Sequence, residues 1–330
     1  MTGFHASAPV RLDFAGAWTD VAPFALEERG VVVSAAIDLR AHAEVALGGA
    51  CYRLRSDDLG DELELPAQEP LARDGRLDLL KAALRMSATG PCALHTWSDA
   101  PAGSGLGSSG ALDVALLAAL AGVRGTACTP ADLAEAGYCL ETIEAGHAGG
   151  KQDQYAAAFG GFNRFEFSGG QVKVRPLELD AAFAADLARR TIVCYTGKSR
   201  VSSDTIVRVM SAYSRKEPQV IGALRAMVEI AERMADALHA ADLSAVGTLL
   251  SANWNEQQRL CTGMRTAEMA VLETVMAETG SLGGKAAGAG AGGSMFFVVG
   301  GDPARAADAA RGAGATVLPL RWANVGVRTE

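Results

Sequence analysis

The stretch PAGSGLGSSG, residues 101–110, lies between a predicted strand at residues 92–98 and a predicted buried helix at residues 108–123. Its glycines allow the backbone to approach a ligand closely, and the free N–H groups at the start of the helix carry a partial positive charge. This combination predicts an anion-binding loop, for which a triphosphate is the natural ligand. The hydroxyl groups of Ser108 and Ser109 can contact a phosphate or Mg²⁺.

Other interpretations of this loop stay open from the sequence alone. The Walker A pattern GxxxxGK[ST] is absent, because GKS at residues 197–199 lacks the upstream glycine. Gly105, Gly107 and Gly110 fit GxGxxG, so an NAD(P)-dependent oxidoreductase is an alternative. A dinucleotide fold needs an acidic residue about twenty residues later, at the end of a second strand, where this chain begins a helix at Thr129-Pro130. A glycine-rich connection that binds nothing is the third interpretation.

The composition excludes some partners. With 330 residues and a net charge of -8, the chain lacks the basic character of nucleic-acid-binding proteins. No apolar run is long enough to cross a membrane, and we expect a cytoplasmic location. The six cysteines show no CxxC pair, which indicates reduced thiols. The sequence leaves a homo-oligomer open.

The sequence pattern changes near residues 180–190, which predicts two domains, residues 1–187 and 188–330. The first part reads as strands, including residues 31–38 and 41–47, followed by helices around the glycine-rich loop. Long alanine-rich helical patterns then occupy residues 203–279, and strands follow them. Strand and helix patterns therefore occur in both parts of the chain.

Three ordered motifs resemble those of the GHMP kinases, which are named for galactokinase, homoserine kinase, mevalonate kinase and phosphomevalonate kinase. They are APVRLDFAGAWTD at residues 8–20, PAGSGLGSS at residues 101–109 and KAAGAGAGGS at residues 285–294. The resemblance implies a two-domain fold of the α+β class. Its N-terminal α/β domain is expected to resemble ribosomal protein S5 and its C-terminal α+β domain to be ferredoxin-like, with the active site between them. It also implies ATP and Mg²⁺ as cofactors.

The resemblance assigns roles to the residues of the second motif and to several acids. The residues implied in nucleotide binding are Pro101, Gly103, Ser104, Gly105, Leu106, Gly107, Ser108 and Ser109. Glu144 is implied as the Mg²⁺ ligand together with Ser108 or Ser109, and Asp153 as the base. Arg11 is expected near the reacting hydroxyl. Glu141, one turn before Glu144, is the weaker candidate for the metal.

The subfamily resemblance indicates the acceptor. Residues 149–163 and 196–206 resemble the heptose 7-phosphate kinases and their fucokinase-like relatives, and Ala17-Trp18 replaces the Glu-His of galactokinases. The start of the helix near residue 202 can bind a second anion, such as a phosphate on the sugar, or it can be a simple serine cap. The residues implied in substrate binding are Thr19, Asp20, Gly149, Gly150, Lys151, Asp153, Tyr155, Arg200, Ser202, Ser203 and Gly292.

The expected function is ATP- and Mg²⁺-dependent phosphorylation of the anomeric hydroxyl of a sugar phosphate, with a heptose 7-phosphate as the best acceptor. The product would feed nucleotide-sugar synthesis. Fucose or an octose phosphate are alternative acceptors. The alternatives from other classes are an NAD(P)-dependent oxidoreductase and a sugar-binding protein of GHMP fold without catalysis.

Overall fold

The structure is a computed structural model, and it describes residues 3–198 and 202–330. These residues form two β-sheets with helices packed against them. The larger sheet has the order β12-β1-β2-β5-β3-β4, and β6 pairs with both β2 and β7. Its strands are β1 (Phe4–Ala15), β2 (Gly30–Leu47), β3 (Cys51–Ser56), β4 (Asp61–Pro66), β5 (Cys92–Ser98), β6 (Phe162–Ser168), β7 (Gln171–Pro176) and β12 (Arg328–Thr329).

The smaller sheet has the order β11-β8-β10-β9 and is antiparallel. Its strands are β8 (Thr191–Tyr195), β9 (Ser281–Ala286), β10 (Ser294–Val299) and β11 (Thr316–Leu318). The described helices are α1 (Phe24–Glu27), α2 (Asp78–Met86), α3 (Ser108–Val123), α4 (Pro130–Cys139), α5 (Gln152–Phe159), α6 (Ala181–Arg190), α7 (Ser202–Ser214), α8 (Pro218–His239), α9 (Leu243–Gln258), α10 (Ala267–Glu278) and α11 (Pro303–Gly312), with a π-helix at Leu140–Glu144.

One long strand, β2, replaces the two strands predicted at residues 31–38 and 41–47. Its first half pairs with β6 and its second half with β5, while β1 runs along most of its length. Asp38 and Arg40, the polar residues at the junction of the two predicted strands, lie at a register shift, where Pro9 pairs with Arg40 and Val10 with Ile37. The polar break is therefore a β-bulge within a continuous strand.

The helices α3 and α4 begin where the sequence predicted them. The apolar residues of α3 pack against β1 and β2, which leaves the start of this helix at the end of the glycine-rich loop. The helix α4 begins with a capping box, because Thr129 Oγ1 accepts from the Asp132 backbone N–H at 3.2 Å and Asp132 accepts from the Thr129 backbone N–H at 2.9 Å. This cap fixes the direction in which the chain enters the π-helix.

The two sheets are joined through buried contacts. Apolar residues of α8 and α9, such as Met234 and Leu249, belong to the core of the larger sheet. Lys285 of β9 is fully buried and pairs with the carboxylate of Asp13 of β1. The strand β12 pairs with β1, so the chain returns to the first sheet across the predicted boundary at residues 187 and 188. The loops that these contacts bring together surround the cavity described below.

Candidate active site

A cavity of about 340 Å³ lies between the loops of the two sheets. Its walls come from the glycine-rich loop, the turn after β1, the loop before α5, the start of α7 and the loop after β9. The sequence-predicted residues that line it are Arg11, Asp20, Gly103, Ser104, Gly105, Gly107, Ser108, Ser109, Gly149, Gly150, Asp153 and Ser203. The fold thus brings together residues that are almost 200 positions apart in the chain.

The glycine-rich loop lies directly against Asp153. Gly103, Gly105 and Gly107 have φ angles of 67°, 75° and 79°, which residues with a side chain rarely adopt. A β-carbon at Gly107 would lie 3.1 Å from Cγ of Asp153. The glycine therefore allows the Asp153 carboxylate to lie next to the start of α3.

The serines of the loop fit a site for phosphate oxygens. The Oγ atoms of Ser104 and Ser108 are buried and have no hydrogen-bond partner among the described residues. A buried hydroxyl without a partner is unfavourable, and a bound ligand can remove that cost. Pro101 and Leu106 do not line this cavity. Leu106 is instead a core residue, and its carbonyl oxygen accepts from the Arg11 backbone N–H at 2.9 Å.

The loop of residues 287–293 packs on the glycine-rich loop. The backbone N–H of Ser294 donates to the carbonyl oxygen of Ser104 at 2.7 Å, and a β-carbon at Gly288 would lie 2.6 Å from the carbonyl oxygen of Gly105. Gly288 and Ala289 line the cavity, whereas Gly292, predicted to bind the substrate, does not. The third motif, residues 285–294, therefore contacts the glycine-rich loop mainly through backbone atoms.

Buried Arg11 and partly exposed Asp153 form an ion pair in the lining of the cavity. Two nitrogens of Arg11, Nε and Nη2, lie 2.8 and 2.7 Å from Oδ1 of Asp153. Arg11 also donates to the carbonyl oxygen of Gly105 at 2.8 Å and is only 3% exposed. Oδ2 of Asp153 has no hydrogen bond within the described part of the chain. One carboxylate oxygen is thus fixed, and the other is available to a ligand.

Glu141, rather than Glu144, is the second carboxylate of the site. Glu144 lies outside the cavity lining and pairs with Arg85 at 3.7 Å. Glu141 lines the cavity, and its carboxylate accepts from Ser109 Oγ at 2.8 Å. The expectation of Glu144 as the metal ligand does not fit this position. The reason is the π-helix, in which the Ala145 backbone N–H donates to Leu140 and the wider turn rotates the two acids apart.

A buried acidic cluster stands behind Glu141. Gln154 Nε2 donates to Oε2 of Glu141 at 2.7 Å and to Oδ2 of Asp113 at 3.2 Å. Burial, together with the nearby Asp153 charge, raises the pKa of Glu141. Burial and the Glu141 charge raise the pKa of Asp113 well above its usual value. Burial therefore disfavours the charged forms of both acids, and a cation bound beside them would favour those charged forms.

Asp20 is a further carboxylate of the cavity lining. Its carboxylate accepts from the backbone N–H of Gln152 at 3.0 Å and is 4% exposed. Burial, with a smaller contribution from the Asp153 charge, raises the pKa of Asp20 to about 6. A β-carbon at Gly150 would lie 1.9 Å from Oδ2 of Asp20. Glycine at this position is therefore needed for the approach of the carboxylate.

Three other residues predicted to bind the substrate have structural contacts instead. Thr19 is fully buried, and its hydroxyl donates to the Gly16 carbonyl oxygen at 2.7 Å. Lys151 and Tyr155 both donate to Glu135, at 2.7 and 2.6 Å, and neither lines the cavity. These side chains position the turn after β1 and the start of α5.

The start of α7 approaches the cavity through Ser203, which is part of its lining. The helix begins at Ser202. Arg200, predicted to bind a second anion, lies outside the described residues.

Several residues near the site were not singled out from the sequence. They are Asp113, Gln152, Gln154 and Lys285, and Trp18 was noted only as a difference from galactokinases. Asp113 and Lys285 are lone charges within apolar or glycine-rich stretches, which is a signal for a buried polar contact. The glutamines flank Asp153 in sequence, but nothing in the pattern separates them from surface residues.

The loop, the arginine-paired carboxylate and the second carboxylate beside serine hydroxyls define a phosphotransferase that acts on a small molecule. The chain belongs to the GHMP kinases, because the N-terminal domain of that family matches residues 77–161 and its C-terminal domain matches residues 234–316. This match confirms the predicted family, its two-domain fold and the use of ATP.

Similar proteins include sugar kinases. The chain is 31% identical over 313 residues to D-glycero-alpha-D-manno-heptose 7-phosphate kinase of Campylobacter jejuni, covering 92% of this chain and 91% of that protein. A D-glycero-D-manno-heptose 1-phosphate kinase structure from Bacteroides thetaiotaomicron has a TM-score of 0.81 at 25% identity, covering 99% and 98% of the two chains. The bifunctional fucokinase/GDP-fucose pyrophosphorylase of Arabidopsis thaliana is 27% identical over 76% of this chain, which matches 26% of that protein.

Within residues 3–198 and 202–330, no helix combines the length and apolar character needed to cross a membrane. No group of three or more His, Cys, Asp or Glu side chains in the same residues could hold a metal ion. A metal bound at this cavity would therefore need oxygen ligands from hydroxyls or from the substrate as well.

Proposed function

We propose that the protein transfers the γ-phosphoryl group of ATP to the anomeric hydroxyl of a sugar phosphate, with a heptose 7-phosphate as the preferred acceptor. The observation that carries this proposal is the meeting of Asp153, paired with Arg11, and Glu141, bonded to Ser109, at the glycine-rich loop. The similarity to a heptose 7-phosphate kinase over most of the chain supports the choice of acceptor.

The residues supply positioning and charge, which are the main requirements of phosphoryl transfer. The N–H groups at the start of α3 hold the phosphates of ATP. Oδ2 of Asp153 orients the acceptor hydroxyl and takes its proton as the hydroxyl oxygen bonds to the γ-phosphorus. The bond between that phosphorus and the oxygen shared with the β-phosphate breaks, and ADP leaves. Arg11 keeps Asp153 in place and stabilises the negative charge that develops.

The site fits Mg²⁺ as the cofactor. Glu141 offers a carboxylate, Ser108 offers a buried hydroxyl without a partner, and the hydroxyl of Ser109 lies 2.8 Å from Oε1 of Glu141. Mg²⁺ prefers oxygen ligands and is commonly held by one or two carboxylates together with substrate phosphates. When bound, Mg²⁺ would neutralise charge on the phosphate oxygens. We therefore assign Glu141 to the metal in place of Glu144.

The acceptor would lie between Asp153 and the wall formed by Asp20 and the start of α7. The Asp20 carboxylate can accept hydrogen bonds from sugar hydroxyls. Ser203 lies in the first turn of α7, where backbone N–H groups favour an anion such as a sugar phosphate. The product of a heptose 7-phosphate would be a 1,7-bisphosphate.

A panel of acceptors tests the proposal. Purified protein is assayed for ATP consumption with D-glycero-D-manno-heptose 7-phosphate, L-fucose, an octose phosphate and mevalonate, and ³¹P NMR locates the new phosphate. The heptose phosphate should give the highest kcat/KM and a phosphate on C1. The control is Asp153→Asn, which keeps the shape of the side chain but should lower turnover on the order of 10²- to 10⁴-fold.

The other outcomes separate the alternatives. A preference for fucose or for the octose phosphate would contradict the heptose assignment and leave the kinase assignment intact. Tight binding of NADH without binding of ATP would indicate an oxidoreductase. Binding of ATP and sugar without turnover of any acceptor would indicate a protein without catalysis.

A further inference from the structure

Trp18 stands in a strained and firmly held position at the wall of the cavity. It is 3% exposed and has a φ angle of 82°, which is rare for a bulky residue. The turn around it is fixed, since the Gly16 backbone N–H donates to Asn253 Oδ1 at 2.9 Å and the Thr19 hydroxyl donates to Gly16 at 2.7 Å. Strain of this kind persists where the surrounding structure enforces it, often at ligand sites.

Two buried polar atoms in this wall lack partners. The indole Nε1 of Trp18 has no acceptor, and Oε1 of Gln152 has no donor, among the described residues. Both residues line the cavity beside Asp20, whose carboxylate accepts from the Gln152 backbone N–H. A buried donor or acceptor without a partner is unfavourable in the absence of a ligand. Hydroxyl groups of a ligand in the cavity would supply the missing partners.

We propose that Trp18 is a specificity-determining residue, whose indole N–H and the Gln152 side-chain oxygen form a donor and acceptor pair for two hydroxyls of a polyhydroxylated acceptor. The inference rests on the proposed function and adds two residues to it. A hydroxyl can both donate and accept, so adjacent hydroxyls match a wall that contains an N–H, an amide oxygen and a carboxylate. A mainly apolar acceptor would leave the indole N–H and the amide oxygen unpaired and would be rejected.

Two substitutions separate the N–H group from the size of the ring. Trp18→Phe and Trp18→His both shorten the side chain, but only histidine keeps a ring N–H. We expect Trp18→Phe to raise the KM for D-glycero-D-manno-heptose 7-phosphate roughly tenfold, as expected for one lost hydrogen bond. The KM for ATP should stay unchanged. Trp18→His should raise the acceptor KM less than Trp18→Phe does.

A matched control is Trp322→Phe, because Trp322 Nε1 already donates to the carbonyl oxygen of Ala184 at 2.8 Å, and Trp322 does not line the cavity. This variant should leave the acceptor KM unchanged. An acceptor KM for Trp18→Phe equal to or lower than that of Trp18→His would overturn the inference, since the loss would then follow ring size. If the wild-type protein turns over no sugar, the proposed function fails instead.

A measurement on the wild-type protein covers the case in which the Trp18 variants do not fold. The chain has four tryptophans, and their ¹⁵N-labelled indole N–H signals can be assigned by Trp97→Phe, Trp254→Phe and Trp322→Phe, which leaves Trp18 by elimination. Addition of the heptose 7-phosphate should shift the Trp18 signal and protect it from exchange with solvent. An unchanged Trp18 signal at saturating acceptor would contradict the proposed hydrogen bond.

Discussion

Glu141 and Glu144 are three residues apart but have different environments. Glu141 is bonded to Ser109 at the cavity, whereas Glu144 forms a partly exposed ion pair with Arg85. We expect Glu141→Gln to lower kcat at fixed Mg²⁺ by on the order of 10²-fold or more. Mutation of a residue that only hydrogen-bonds to a metal ligand already lowers metal affinity or activity about 10- to 100-fold. Glu144→Gln should keep kcat within about twofold of the wild-type value, because exposed ion pairs contribute little to stability and Glu144 does not line the cavity.

The dependence of turnover on Mg²⁺ concentration checks this assignment. Glu141→Gln should require much more Mg²⁺ for half-maximal activity, and Glu144→Gln should match the wild type. The reverse pattern would restore Glu144 as the metal ligand and would mean that the π-helix rearranges when the substrates bind.

Asp20 predicts a dependence of stability on pH. Because its pKa is raised to about 6 in the folded protein, the folded state disfavours the charged form, and the stability lost in this way grows as the pH rises through that value. Asp20→Asn removes this cost. The difference in the free energy of unfolding between the variant and the wild type should therefore be ~1 kcal/mol more favourable to the variant at pH 7 than at pH 5. Urea unfolding at both pH values measures the difference, and an equal effect at pH 5 and pH 7 would contradict the raised pKa.

At the scale of elements, the first turn of α3 supports the catalytic candidate on α5. A β-carbon at Gly110 would lie 2.6 Å from Cβ of Asp153 and 3.0 Å from the backbone nitrogen of Gln154. We expect Gly110→Ala to cost about 1–3 kcal/mol of stability through overpacking. It should also lower kcat by roughly tenfold or more, because it displaces the carboxylate.

The control for that substitution is Gly222→Ala in α8, where a β-carbon would meet nothing within 4 Å. The same change in open space should stabilise the protein by about 0.5–1 kcal/mol, because alanine favours helices over glycine. Both variants are compared by urea unfolding and by kcat. Equal effects of the two substitutions would mean that the contact between α3 and Asp153 is unimportant.

The elements differ in how well the sequence predicted them. The cap at Thr129 and the apolar pattern of α3 are local signals, and both helices begin as expected. The π-helix has no such signal, because its residues are ordinary helix formers and the wider turn arises from packing. The family resemblance named Glu144 as the metal ligand, and only the structure shows that Glu141 is the acid that lines the cavity. The continuous strand β2 was missed for a related reason, since the polar residues of a bulge look like a turn.

At the scale of the whole molecule, the buried pair of Lys285 and Asp13 connects the two sheets. Nζ of Lys285 also donates to the carbonyl oxygens of Asp13 and Ala286, each at 2.8 Å, and burial lowers the pKa of this lysine. We expect Lys285→Met to destabilise the protein by about 3–5 kcal/mol, because the buried Asp13 carboxylate loses its closest cation and keeps only Arg11, whose Nη1 lies 3.8 Å from Oδ1. Adding Asp13→Asn should recover part of the loss, and urea unfolding measures both. No recovery would show that the lysine contributes through packing alone.

The arrangement of the motifs in space could be predicted only through the family. Their order along the chain gives no distance, but the resemblance placed the glycine-rich loop, Arg11, Asp20 and Asp153 at one site, and all four line the cavity. The contacts of Lys151 and Tyr155 with Glu135 could not be predicted, because they depend on how α4 and α5 pack. The unpaired indole of Trp18 likewise appears only in three dimensions.

The contact between the glycine-rich loop and the loop of residues 287–293 limits how this gene can recombine with the genes of its relatives. Ser104 and Gly105 touch Ser294 and Gly288 through backbone atoms at 2.7 Å and with no space for a β-carbon. A chimera that joins the first half of one kinase to the second half of another can therefore keep the backbone hydrogen bond with any residues at those positions, but it needs glycine at the position of Gly288. That glycine, more than the rest of either loop, limits which halves can be combined.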